Sequence, residues 1–181
     1  MDAFKRRDGK RLALGFAGAS HGQGLAMTQF AHPEMANSLG WPVLKYPQGE
    51  SDAQVLDSVR AALSNDVAVV VVEPIHWQSG NQMSSDLINQ IGRLAHEHEA
   101  LMVVDETNSG CGASGRDFWA VQPTDAVDYV TFGKRTQATG YYSVHGNGIE
   151  LGGQEHNVAM LSEISQQIKQ DNLVDKVASV G

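Results

Sequence analysis

Val67-Ala68-Val69-Val70-Val71-Val72-Glu73 is an unbroken apolar run closed by a single carboxylate. A strand with one wet face alternates apolar and polar residues. A continuous run instead suits a strand covered on both faces, as inside a parallel sheet. Leu101-Met102-Val103-Val104-Asp105 repeats the pattern, and residues 12–16 and 129–132 also have strand character. Between these runs lie helical patterns. Residues 52–63 carry Val55, Val59 and Leu63 four apart. Residues 84–98 carry Leu87, Ile91, Leu94 and Ala95 as one stripe, with Ser84 as N-cap. A third pattern begins near Asn157 and runs to about Lys169, with Leu161, Ile164 and Ile168 on one side. The β-α-β-α-β order implies right-handed crossovers, hence an α/β fold with a mostly parallel sheet and helices on both faces.

The 181 residues suffice for one domain, and neither repeats nor a linker divide them. Hydrophobic residues at 41% and charged residues at 19%, with 19 glycines, describe a globular chain rich in tight loops. The net charge of -8 and the lack of a basic stripe argue against a nucleic-acid partner. The single cysteine, Cys111, excludes an internal disulfide and forms no metal-ligand pair, so a reducing compartment is expected, cytoplasmic or mitochondrial matrix. No apolar run approaches the roughly 20 residues that cross a bilayer, and Lys5, Arg6 and Arg7 precede no signal core, so neither membrane insertion nor export is expected.

Three strands end in conspicuous polar residues: Glu73, Asp105 and, just beyond residues 129–132, Lys134. They stand 32 and 29 residues apart, each interval the length of one strand plus one crossover. All three should therefore reach the carboxyl edge of one sheet, where open α/β folds bind ligands. An amine there can form an imine with an aldehyde cofactor or substrate. A carboxylate beside it can keep a pyridinium nitrogen protonated, which makes the ring an electron sink, and Asp105 is the choice for that role. Any one of these residues alone is more simply a helix cap or a solvated charge. Three in matching positions weigh against that reading.

Val72-Glu73-Pro74-Ile75 with Gly80, Val103-Val104-Asp105-Glu106 leading to Ser109-Gly110-Cys111-Gly112-Ala113-Ser114-Gly115, and Thr131-Phe132-Gly133-Lys134 together resemble the class III aminotransferase signature. Leu44-Lys45-Tyr46-Pro47, Phe118-Trp119-Ala120, Thr139-Gly140-Tyr141-Tyr142 and Gly152-Gly153 resemble the 4-aminobutyrate branch of that family. The resemblance implies a fold-type I large domain that binds pyridoxal 5'-phosphate. It implies transamination of an ω-amino acid with 2-oxoglutarate as the 2-oxo acid, in a homodimer. Lys134 would then be the Schiff-base lysine, Asp105 the partner of the ring nitrogen, and Asn108 the stand-in for a glutamine that contacts the ring hydroxyl. His21 and Gly22 would cover one ring face, and Glu73 would lie beside the substrate.

Departures accompany the match. Where the family has an aromatic residue, then His, Gly and a carboxylate-gripping arginine, this chain has Ser20, His21, Gly22 and Gln23. An amide cannot replace a guanidinium's charge-assisted fork. The resemblance further implies that residues 1–181 form a single large-domain fragment without the family's N-terminal phosphate loop and small C-terminal domain.

Two other readings compete. Gly18-Ala19-Ser20-His21-Gly22-Gln23-Gly24 imitates the glycine turn of dinucleotide-binding short-chain oxidoreductases, but no Tyr-x-x-x-Lys pair follows it. Gln23 also suits a noncatalytic remnant. His96 and His98 read as helix-end residues, Cys111 as a loop residue without a base, and Trp41, Trp77 and Trp119 as packing groups, with Trp77 close enough to Glu73 to line a pocket.

Overall fold

The structure is a computed structural model that describes residues 9–34, 39–146, 148–152 and 155–180. Lys5, Arg6, Arg7 and Gly153 lie outside the described residues.

The strands are β1 (Leu12–Phe16), β2 (Val43–Leu44), β3 (Val67–Val72), β4 (Leu101–Asp105), β5 (Tyr129–Phe132), β6 (Thr139–Ser143) and β7 (Ile149–Gly152). They form one sheet in the order β2-β1-β3-β4-β5-β6-β7. Pairing is parallel from β2 through β5, and β6 and β7 are added antiparallel. All six residues of β3 are buried, as its unbroken apolar run requires. Register does the positioning: Val72 lies opposite Val104, and Asp105 opposite Thr131. Glu73, Asp105 and the turn after β5 therefore emerge side by side at the carboxyl edge.

The helices are α1 (Thr28–Ala31), α2 (Asp52–Ala62), α3 (Ser85–Glu97), α4 (Glu155–Gln170) and α5 (Leu173–Val180). Ser84 caps α3 by accepting from Leu87 N at 3.0 Å, and Ser51 forms a capping box with Gln54 on α2. Val55 and Val59 of α2 and Leu87, Ile88 and Ile91 of α3 pack on Leu14, Phe16, Val70, Val72, Met102 and Val104, the even-numbered sheet face. The other face is thinly covered: Ala13, Val69, Val71 and Leu101 meet Phe30 of the four-residue α1 and Trp41. Helices thus lie on both faces, but the cover is unequal, and Val69, Val71 and Val103 line a cavity on the thinner side.

Several elements escape the sequence pattern. β6 and β7 contain Gly140 and Gly152, keep most residues half-buried or exposed, and so lack a continuous apolar run. β2 is two residues long, α4 begins at Glu155 rather than Asn157, and α5 buries no residue fully. The tail helices lean on the loop after β4 instead of the sheet. Gly115, at φ +69, lies where a Cβ would stand 2.6 Å from the Ala178 nitrogen, so a side chain there would displace α5. At the opposite sheet edge His96 closes α3 with its Nε2 2.9 Å from Asp128 Oδ2. Among the described residues no helix is long and apolar enough to cross a membrane.

Candidate cofactor site

Each strand end contributes one side chain because the chain turns sharply after it. Asp105 is followed by a tight turn in which Thr107 N donates to Asp105 Oδ1 at 2.9 Å. Its other oxygen, Oδ2, lies 2.8 Å from His21 Nδ1, across 84 residues of sequence. Burial alone would raise the Asp105 pKa. The hydrogen bond and charge of His21, with the Thr107 contacts, outweigh it and hold the carboxyl below its usual range. Asp105 is therefore a buried group that stays anionic. The His21 imidazole is itself buried, packs edge-on against Phe30 with centroids 5.8 Å apart, and keeps Nε2 without a hydrogen-bond partner among the described residues.

Glu73 behaves differently. It is 1% exposed, its Oε1 accepts from Asn108 Nδ2 at 3.0 Å, and its Oε2 has no partner among the described residues. Burial pushes its pKa up and the neighbouring Asp105 charge adds to that, against opposing help from His21 and Asn108. Tyr46, whose hydroxyl donates to the Glu73 and Pro74 carbonyls, braces the same turn from below.

Lys134 lies in a short 3-10 turn, Lys134–Thr136, with φ +35, a conformation that non-glycine residues adopt only when their surroundings enforce it. Its Nζ donates to Asn108 Oδ1 at 2.6 Å and sits 5.9 Å from the centroid of the Trp77 ring. Asn108 thus joins the exposed amine to the buried Glu73.

These side chains meet at a cavity of about 950 Å³, whose wall includes His21, Gly22, Gln23, Asp105, Thr107 and Lys134. Gly22, at φ +106, and Gln23 are both exposed at its rim. Asn108 and Glu73 are one step back from this wall, tied to it through Lys134. The sequence singles out every one of these residues except Thr107, which only its position in the Asp105 turn could signal. It also leaves Arg135 unmarked, and adjacency to Lys134 is the available signal there. Trp77 does line a pocket beside Lys134, whereas Trp41 and Trp119 pack against other aromatic rings.

The donor set fits the aldehyde and the ring of pyridoxal phosphate. An accessible amine and a carboxylate held anionic share one cavity wall, and apolar Val69, Val71 and Val103 line the same cavity. The rival glycine segment 18–24 runs into turns and then the four-residue α1, not into the long helix a dinucleotide site needs.

The family model for aminotransferase class III matches residues 9–179. The chain belongs to the class III aminotransferases. Class III aminotransferases depend on pyridoxal 5'-phosphate, and their large domain is the fold-type I sheet described above. Against the probable mitochondrial 4-aminobutyrate aminotransferase of Caenorhabditis elegans the chain is 27% identical over 205 residues, covering 93% of this chain and 42% of that protein. Against the L-lysine-epsilon aminotransferase of Streptomyces clavuligerus it is 36% identical over 118 residues, covering 56% of this chain and 26% of that protein. Among solved structures, a Bacillus anthracis aminotransferase superposes with a TM-score of 0.76 at 19% identity, covering 98% of this chain and 48% of that one. The lysine aminotransferase from M. tuberculosis in the internal aldimine form superposes with a TM-score of 0.70 at 23% identity, covering 92% and 46%. At such identities the structural likeness speaks for the fold. The chain spans less than half the length of these class III relatives.

Proposed function

We propose that this chain is the cofactor-bearing part of an aminotransferase that moves the terminal amino group of an ω-amino acid, such as 4-aminobutyrate, to 2-oxoglutarate. The observation that carries the reading is that Lys134 and the Asp105–His21 pair share the wall of one cavity at the carboxyl edge of the sheet. The relatives named for 4-aminobutyrate and for the ε-amine of L-lysine support it, because in both the named amine is remote from the carboxylate.

When bound, pyridoxal phosphate supplies an aldehyde carbon and an electron-withdrawing ring. Lys134 Nζ is the amine that would hold that carbon and, once freed, the base that takes a proton from the substrate carbon and returns it. Asp105, kept ionised by His21, would hold a proton on the ring nitrogen. His21 and Gly22 would border one face of the ring, Asn108 would orient the amine, and Glu73 and Gln23 would lie toward the substrate. A homodimer would complete the site, and a cytoplasmic or mitochondrial matrix setting is consistent with relatives named as mitochondrial.

The test is an absorbance titration of the purified chain with pyridoxal phosphate, then borohydride reduction and peptide mapping. A visible band trapped on the Lys134 peptide is expected, and Lys134→Ala should abolish it. A reducible adduct that persists in that variant would refute the assignment of Lys134. Absence of any band in the unaltered chain would leave the remnant reading, which Gln23 favours.

A further inference from the structure

Lys134 also lines a second cavity, of about 360 Å³, together with Ile75, Trp77, Asn108 and Arg135. Its volume falls within the range of roughly 300–1,000 Å³ typical of small-molecule sites. Arg135 is exposed but held: its Nε donates to the Asn108 carbonyl at 3.0 Å, and its Nη atoms make no hydrogen bond among the described residues. Neither Arg135 nor Lys134 belongs to an ion pair among the described residues, whereas Arg60 is engaged by Asp57 and Arg116 by Gln82. The Glu73 carboxylate stands behind Asn108 and is bonded to its amide, not to either cation.

The cavity's opposite character is apolar. Trp77 is 51% exposed, yet its indole is fixed by donating Nε1 to the Gly18 carbonyl at 2.8 Å. With Ile75 it offers a rigid surface against which a short methylene chain can lie. A guanidinium fork pairs with a carboxylate or a phosphate alike; the apolar wall of Ile75 and Trp77 beside it favours an anion that carries a straight carbon chain over a compact inorganic one.

The geometry points to Arg135 as the anchor for the carboxylate of a straight-chain amino acid or oxo acid, the task that Gln23 cannot perform in the first cavity. This assignment rests on the reading that Lys134 holds the cofactor. A ligand bound by Arg135 and running along Trp77 brings its far end to Lys134, so the reacting carbon lies several bonds from the anchored carboxylate. Arg135 then sets the preferred chain length.

Isothermal titration calorimetry of the intact chain with succinate tests this, because succinate carries two carboxylates but no amine, ketone or aldehyde and so forms no imine at Lys134. Saturable binding that also quenches tryptophan emission is expected. Arg135→Gln should weaken it about 10- to 100-fold, as loss of a charge-assisted pair does. Arg135→Lys should fall between, and Arg116→Gln should bind like the parent. Circular dichroism checks that each variant is folded. No saturable binding, equal affinity in Arg135→Gln, or inorganic phosphate bound more tightly than succinate would overturn the inference. Trapping of pyridoxal phosphate on Lys134 is measured in parallel. Retained trapping with failed succinate binding removes this inference alone, while failed trapping in the unaltered chain removes the proposed function.

Discussion

Asp105 and Glu73 end neighbouring strands of one sheet at nearly equal depth, 6% and 1% exposed, yet their ionisation leans in opposite directions. Asp105 has a partner for each oxygen, His21 on one and Thr107 on the other. Glu73 has a neutral amide on one oxygen and no partner among the described residues on the other. Burial penalises both charges alike, so the difference lies in what each carboxylate touches. A group meant to stay anionic is enclosed by donors. A group left with one amide is poised to take up a proton.

Breaking the better-partnered side should have the largest effect. Asp105→Ala strands His21 Nδ1 and the Thr107 N–H in a buried site, and should cost about 3 kcal/mol of stability, since each unsatisfied buried donor costs about 1–3 kcal/mol. Urea denaturation of the parent and the variant measures it, and a loss below that of Asn108→Ala would deny the His21 contact its importance. Asn108→Ala removes two hydrogen bonds at a partly exposed position and should cost about 1 kcal/mol. It should also raise the Glu73 pKa further, because the amide is one of the contacts that lowers it.

The smallest effect is a change in pH slope. Glu73 has a raised pKa, so the folded state holds its proton more tightly than the unfolded state does. Its contribution is full below the ordinary glutamate range and is lost as pH rises through the folded pKa. Asp105, with a lowered pKa, contributes the reverse: full above the ordinary aspartate range, lost as pH falls through its folded value. Glu106 is also pushed up by burial and acts with the same sign as Glu73. Glu73→Gln keeps the oxygen that accepts from Asn108 and removes the titration. Stability curves from pH 4 upward should therefore differ in slope between parent and variant, the variant losing less as pH rises. Parallel curves would mean that Glu73 titrates normally.

Much of the sheet was legible because its central strands are buried on both faces, and an unbroken apolar run of four to six residues between turn signals marks such a strand. The N-cap at Ser84 and the three polar strand ends were legible for similar reasons, being local in sequence and set by strand and crossover length. The antiparallel β6 and β7 were not, since at the sheet margin half-buried residues such as Tyr141 and exposed ones such as Glu150 carry little periodic signal. Nor was the unequal cover of the two sheet faces. It depends on which helices the connections deliver to which side.

By itself the sequence determined the central strand runs, the starts of α2 and α3 and the presence of Glu73, Asp105 and Lys134 at one edge, because burial and crossover length act on neighbouring residues. Tertiary structure alone decided that His21 would meet Asp105, that Asn108 would stand between Lys134 and Glu73, and that Arg135 would face a cavity with Trp77. Those contacts join segments tens of residues apart, and distances of 2.6 to 3.0 Å are fixed only when strand register and turn conformation are set together.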